Sequence, residues 1–256
     1  MRALVAFLLV LIILPAHRVI AEEASETSTQ LWVNFMLGRP VNDQFYVEYD
    51  IEAAGAIDEA EPWKYLYGTG LAEYYPNQWV DLTGELVTGV TKQTSAEDSA
   101  ELATRLGIRL HLVRQIFATG FLNKYRPERF SEKRFTIANL ARLEFRKFWY
   151  TGDRDDETEV RFRNRLETKF ALNESNLNSD GVIYLLADVE FFVPLSDEEV
   201  AERFATTRRL RLGLGYRFSY KWRFETLYMQ DNAKDTIESD INVDARMIDL
   251  RFRRFF

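Results

Sequence analysis

Strict alternation of charged and apolar side chains constrains this chain more than any other feature, and it is sharpest from Val160 to Leu172. Val160, Phe162, Leu166, Phe170 and Leu172 fall on one face, and Arg161, Arg163, Arg165, Glu167 and Lys169 on the other. A period of two places successive side chains on opposite sides of a strand. Wound as a helix, the same segment would scatter its charges around the axis and leave no apolar stripe. Arg209 to Phe218 repeats the pattern, with Leu210, Leu212, Leu214, Tyr216 and Phe218 opposed by Arg209, Arg211, Gly213, Gly215 and Arg217. In Leu102 to Leu112, Leu106, Ile108, Leu110 and Leu112 oppose Arg105, Gly107, Arg109 and His111. Further strands are predicted over Leu31–Leu37, Gln44–Glu52, Trp63–Tyr75, Trp79–Thr91, Phe135–Tyr150, Val182–Val193, Trp222–Gln230 and Val243–Phe256. Most reach the roughly nine to eleven residues that a tilted strand needs to cross a bilayer, beyond the usual length in soluble sheets.

The connections alternate as well. Short turns are predicted at Gly38–Asp43, Tyr75–Gln78 and Ser219–Lys221, and longer loops at Ala53–Pro62, Thr91–Glu101, Thr151–Thr158, Leu195–Thr206 and Asp231–Asn242. Short turns at one end and long loops at the other are the pattern of outer-membrane barrels. The five long loops, counted to include Glu101, Glu157 and Asp231 at their edges, hold eighteen acids against Lys92, Arg154, Arg203 and Lys234. Two connections fit less well: Val113–Arg134 is long where a short turn is due, and Asn173–Gly181 is intermediate. Bacterial single-chain barrels have even strand numbers. The eleven segments therefore predict twelve strands, with one more in Val113–Arg134, or ten if the first segment does not span.

Arg2, the apolar run Ala3–Leu14 and the small residue Ala21 before Glu22 read as a cleaved secretory signal over residues 1–21. The barrel domain would then occupy residues 22–256. The apolar run is too short for a membrane-crossing helix, and Pro15 follows it at once. The chain has no cysteine, which removes disulfides, thiol nucleophiles and Cys-ligated metal centres from consideration.

Alternation alone leaves open which face points inward. In a soluble barrel the apolar face is the core, whereas in a membrane barrel it meets lipid and the charges line the lumen. With ten or more strands the interior is too wide for one layer of side chains to fill easily. The predicted fold is therefore an all-β, antiparallel up-and-down transmembrane barrel with a polar, Arg-rich lumen, located in the outer membrane. The residues expected to line it are Arg105, Arg109, His111, Arg142, Glu144, Arg146, Arg161, Arg163, Arg165, Glu167, Asp188, Glu190, Arg209, Arg211, Arg217, Glu225, Asp249, Arg251 and Arg253. At the carboxyl end, Ile248, Leu250, Phe252 and Phe256 alternate with Asp249, Arg251, Arg253 and Phe255. Arg254 falls on the apolar face, close enough to the end to snorkel. The terminal Phe256 resembles the sorting signal read by the machinery that inserts outer-membrane barrels, and outer-membrane lipid and lipopolysaccharide are the other expected partners.

The Trp-led first strand (Leu31-Trp32-Val33-Asn34-Phe35), Arg142-Leu143-Glu144-Phe145-Arg146, Arg161-Phe162-Arg163-Asn164-Arg165-Leu166 and Leu212-Gly213-Leu214-Gly215-Tyr216-Arg217 together resemble a family of bacterial outer-membrane barrel proteins described only as a domain of unknown function. The resemblance covers most of the chain beyond the leader. It implies fold and location but no activity or substrate.

Catalysis has few candidates. His111 is the only histidine beyond the leader and falls among lumen arginines, where hydrogen bonding to carboxylates is its expected role. No serine sits in a Gly-x-Ser-x-Gly turn. Asp188 and Glu190 share a face, but the arginines around them favour ion pairing over acid–base work. The run Asp153–Glu157 lacks the turn glycine and terminal Glu of a calcium loop and reads as a solvated acidic loop. No phosphate-cradling glycine loop and no basic, aromatic nucleic-acid surface occur. The expectation is thus a non-enzymatic barrel without cofactor or metal and without nucleic-acid partners. Two roles remain: a narrow channel for small anionic solutes, or a structural or ligand-binding barrel whose lumen is salt-bridged and non-conducting. A periplasmic β-protein with an apolar ligand inside is a third.

Overall fold

Long strands that expose apolar side chains on one face must hydrogen-bond on both edges, and here they do so by closing on themselves. The computed structural model describes residues 28–57, 63–93, 97–113, 134–196, 208–233 and 242–256. The predicted signal segment, most of the Val113–Arg134 connection and parts of the long loops lie outside the described residues. The strands are β1 (Ser28–Pro40), β2 (Phe45–Ala56), β3 (Lys64–Asn77), β4 (Val80–Lys92), β5 (Ser99–His111), β6 (Phe135–Tyr150), β7 (Glu157–Ala171), β8 (Val182–Pro194), β9 (Arg208–Ser219), β10 (Trp222–Ala233) and β11 (Asn242–Phe255). Each pairs antiparallel with its sequence neighbour, and β1 pairs with β11 to close the barrel.

The barrel has eleven strands, neither the twelve nor the ten expected from the even-number rule. The first segment does span, since β1 is bonded to both β2 and β11. β5 and β6 pair directly, from Ser99 with Tyr150 to His111 with Ala138, so no strand from the long connection lies between them. In an odd series of antiparallel strands the first and last run the same way. β1 and β11 are therefore parallel, in register from Ser28 with Ala245 to Gly38 with Phe255. Parallel bonds are slanted and slightly weaker per residue but leave no edge open, and odd counts occur among mitochondrial barrels. As a consequence, Ser28 lies at the barrel end that carries the long loops, and Phe255 at the end with the short turns.

Burial is inverted relative to a soluble protein. Outward-facing Leu86, Leu106 and Leu212 are 56%, 56% and 55% exposed, while inward-facing Glu144, Glu190 and Asp249 are at 0%. On the outer wall, Asn139 and Asn164, on adjacent strands, donate their side-chain amides to each other at 3.0 and 3.2 Å, which spares both the cost of an unmatched amide in apolar surroundings. Arg254 faces outward at the short-turn end, with its guanidinium 5.1 Å from the Trp222 ring and 4.7 Å from that of Phe256. Phe45 stacks on Tyr74 at the same end. Inside, glycine makes room for aromatics. A Cβ on Gly215 would strike the Tyr184 ring, and one on Gly89 the Tyr67 ring, so both tyrosines lie flat along the wall.

The parallel closure yields a direct check. Because the chain has no cysteine, Val33→Cys combined with Leu250→Cys, which are register partners, is expected to cross-link under oxidation or with a short bismaleimide. The product should migrate as a covalently closed species in denaturing gels. Leu31→Cys with Phe252→Cys, four positions out of register, should not react; equal reaction of both pairs would contradict the closure.

Candidate functional site

The inward faces of the strands form one charged lining, with acids and bases sorted by strand. Alternation puts Tyr46, Glu48, Asp50 and Glu52 of β2, Glu73 of β3, and Asp81 and Glu85 of β4 inside. The arginines come mainly from β5–β7, β9 and β11. Between them the lining surrounds a cavity of about 1100 Å³ that reaches from Trp32 and Tyr65 near the long loops to Asn77 and Asn178 near the short turns.

Ion pairs between strands join these arcs around the wall. Arg142 on β6 reaches Glu85 on β4 at 2.9 Å and Glu190 on β8 at 2.8 Å, spanning one intervening strand in each direction. Glu144 holds Arg105 and Arg161, and also Arg163 at 3.2 Å. Glu190 also binds Arg163 at 3.0 Å and Arg211 at 2.7 Å, and Arg211 binds Asp188 at 2.7 Å. Towards the long loops, Arg146 contacts Glu101 at 2.8 Å and Glu159 at 2.6 Å, and Arg209 forks onto Asp231 with two 2.6 Å bonds. Towards the short turns, Arg109 binds Glu73 at 2.6 Å, Arg253 donates to Glu48 at 3.3 Å, and His111 meets Asp81 at 2.8 Å. Asp249 bridges Arg251 at 2.7 Å and Asn34 at 2.8 Å. Glu225 accepts from Tyr184 at 2.5 Å. Such bidentate and shared contacts are the strong form of the charge-assisted hydrogen bond.

All nineteen residues predicted to face inward are on the inner face. Fifteen line the cavity itself; Glu144, Asp188 and Glu190 lie buried behind their arginines, and Arg217 sits at the short-turn rim, donating to Asn178 at 3.1 Å. Glu167 pairs with Lys169 at 3.3 Å. Among the described residues, Arg165 and Arg217 are the two predicted arginines with no carboxylate partner. Three acids counted with the loops, Glu101, Glu157 and Asp231, belong to strands instead, because β5, β7 and β10 each run three residues beyond the apolar pattern. Glu101 and Asp231 neutralise the lumen arginines Arg146 and Arg209.

Sequence reasoning passed over the acidic arc. Glu48, Asp50, Glu52, Glu73, Asp81 and Glu85 all line the cavity and none was singled out, although Phe45-Tyr46-Val47-Glu48-Tyr49-Asp50-Ile51-Glu52 alternates as strictly as β7. The signal was present in the same period of two. Among the described residues no three His, Asp or Glu side chains gather as metal ligands would.

The profile of a family described as "Protein of unknown function (DUF2490)" matches residues 29–242. A search of curated proteins finds no match. Among solved structures, the chain is similar to the translocator domain of the autotransporter NalP from Neisseria meningitidis, at 15% identity and a TM-score of 0.44, over 77% of this chain and 71% of that one.

Glu144 serves three arginines at once, so Glu144→Gln is expected to destabilise the folded barrel by about 3–5 kcal/mol, the cost of leaving buried charge uncompensated. Asp156→Asn removes one partner of an exposed pair with Lys147 and should cost less than about 1 kcal/mol. Denaturant unfolding of the detergent-solubilised variants measures both; equal small losses would show that the internal pairs do not hold the wall.

Proposed function

The chain belongs to the DUF2490 family of proteins of unknown function, and from its own residues we propose an integral outer-membrane barrel whose lumen is an ion-paired chamber for small polar solutes rather than an anion channel. Neutralisation of the lining carries this reading: of the twelve arginines predicted to line the lumen, all but Arg165 and Arg217 are bound by carboxylates of the described residues. An anion entering such a lumen meets dipoles, not a uniform positive field. The membrane assignment is supported by the inverted burial. A wall with Leu86, Leu106 and Leu212 more than half exposed needs an apolar solvent, and closed barrels satisfy every backbone group within it. The outer wall would then meet lipid, the acidic loops would share divalent ions with lipopolysaccharide phosphates, and Phe256 would serve recognition by the insertion machinery.

A non-enzymatic role fits the lumen chemistry. Among the described residues His111 contacts Asp81 and no hydroxyl, which gives it a carboxylate partner and no nucleophile there to activate.

Two measurements test the proposal. After carbonate extraction the protein should remain with the outer-membrane fraction; release into the supernatant would remove the membrane assignment. In planar bilayers under a KCl gradient, the purified barrel should show little current and a reversal potential near zero. A steady anion-selective current would restore the arginine-lined channel instead.

A further inference from the structure

The ion-paired wall has a gap, and the unpaired charges on its two sides are of opposite sign. On β2, Asp50 and Glu52 line the cavity and among the described residues make no ion pair or hydrogen bond through their carboxylates, Asp50 Oδ1 being shielded from solvent without a partner. Arg253 of β11 pairs with Glu48 on the same strand and Arg251 turns to Asp249, so neither forms an ion pair with Asp50 or Glu52. Arg165 on β7 also lines the cavity, and among the described residues it makes no ion pair with a carboxylate and leaves its Nε unbonded. In the closed order of eleven strands, β7 is five strands from β2 in one direction and six in the other. It therefore stands across the lumen. All three residues lie in the middle of their strands, so the carboxylates and the guanidinium face one another over the cavity.

The acidic side also carries an aromatic surface. Tyr67 is the register partner of Glu52 and lies flat over Gly89; Tyr65 packs on it at 4.3 Å between ring centroids and on Trp32 at 5.3 Å. Carboxylates beside aromatic faces attract organic ammonium groups, and a free guanidinium attracts carboxylate or phosphate. We propose that the chamber binds small zwitterionic solutes with well-separated charges, the ammonium end on Asp50 and Glu52 and the anionic end on Arg165. The inference rests on the chamber reading above and specifies its ligand class.

The test uses the purified barrel in detergent, with Trp32 in the cavity wall as a fluorescent reporter and three probes of equal length: ω-aminohexanoate, hexylammonium and hexanoate. The zwitterion is expected to bind at least about tenfold more tightly than either singly charged probe, a difference of about 1.4 kcal/mol. Asp50→Asn with Glu52→Gln should reduce ω-aminohexanoate to the affinity of hexanoate, and Arg165→Met should reduce it to that of hexylammonium. Equal affinity for all three probes, or saturable binding of none, would overturn the proposal. If a variant fails to fold, judged by its circular dichroism, the probe series on the unaltered protein still decides. Membrane residence and conductance are read separately, so loss of zwitterion preference in a carbonate-resistant, non-conducting barrel would refute the ligand class and leave the location standing.

Discussion

Charge neutralisation inside a closed wall is the constraint on which the structure depends. Ten lumen arginines can be packed behind apolar strands only because carboxylates on neighbouring strands reach them. Glu144 and Glu190, both fully buried, each serve three. Such pairs add little net stability over an apolar core, since desolvation offsets much of the attraction, but breaking one leaves a buried charge exposed to its full penalty. Their greater effect is on register. A one-residue slip of β7 would turn Arg161, Arg163 and Arg165 outward among leucines, leaving Glu144 with Arg105 alone and taking Arg163 from Glu190.

Closure and neutralisation reinforce each other. An arginine side chain spans about one strand width to either side, so Arg142 can bind both Glu85 and Glu190 only when β4 to β8 curve around a common axis. The same reach limits the network. Arg253 on β11 reaches Glu48 on β2, while Arg251 is held by Asp249 and the arginines of β5 and β6 bind Glu73 and Glu85, so among the described residues Asp50 and Glu52 are left without a bonded arginine.

Much of this was legible in the sequence. The alternation located all eleven strands, the direction of every predicted lumen residue and the outward position of Arg254. What the sequence obscured has identifiable causes. Strand ends at Glu101, Glu157 and Asp231 read as loop because acidic residues break the apolar pattern, yet Glu101 and Asp231 point inward to arginines and Glu157 binds Arg154 at the rim. The strand number was drawn from a parity rule, and parity is a property of closure, which no local pattern records. The acidic arc was readable but overshadowed by the arginine-rich faces.

Period-two patterning by itself determined strand, facing and the sorting of apolar from charged side chains, because these follow from the geometry of a single extended segment. The tertiary structure alone decided that the count is eleven, that β1 and β11 close in parallel, and which carboxylate meets which arginine. Those outcomes depend on distances between residues as remote in sequence as Asn34 and Asp249, and such distances exist only once the wall has curved back on itself.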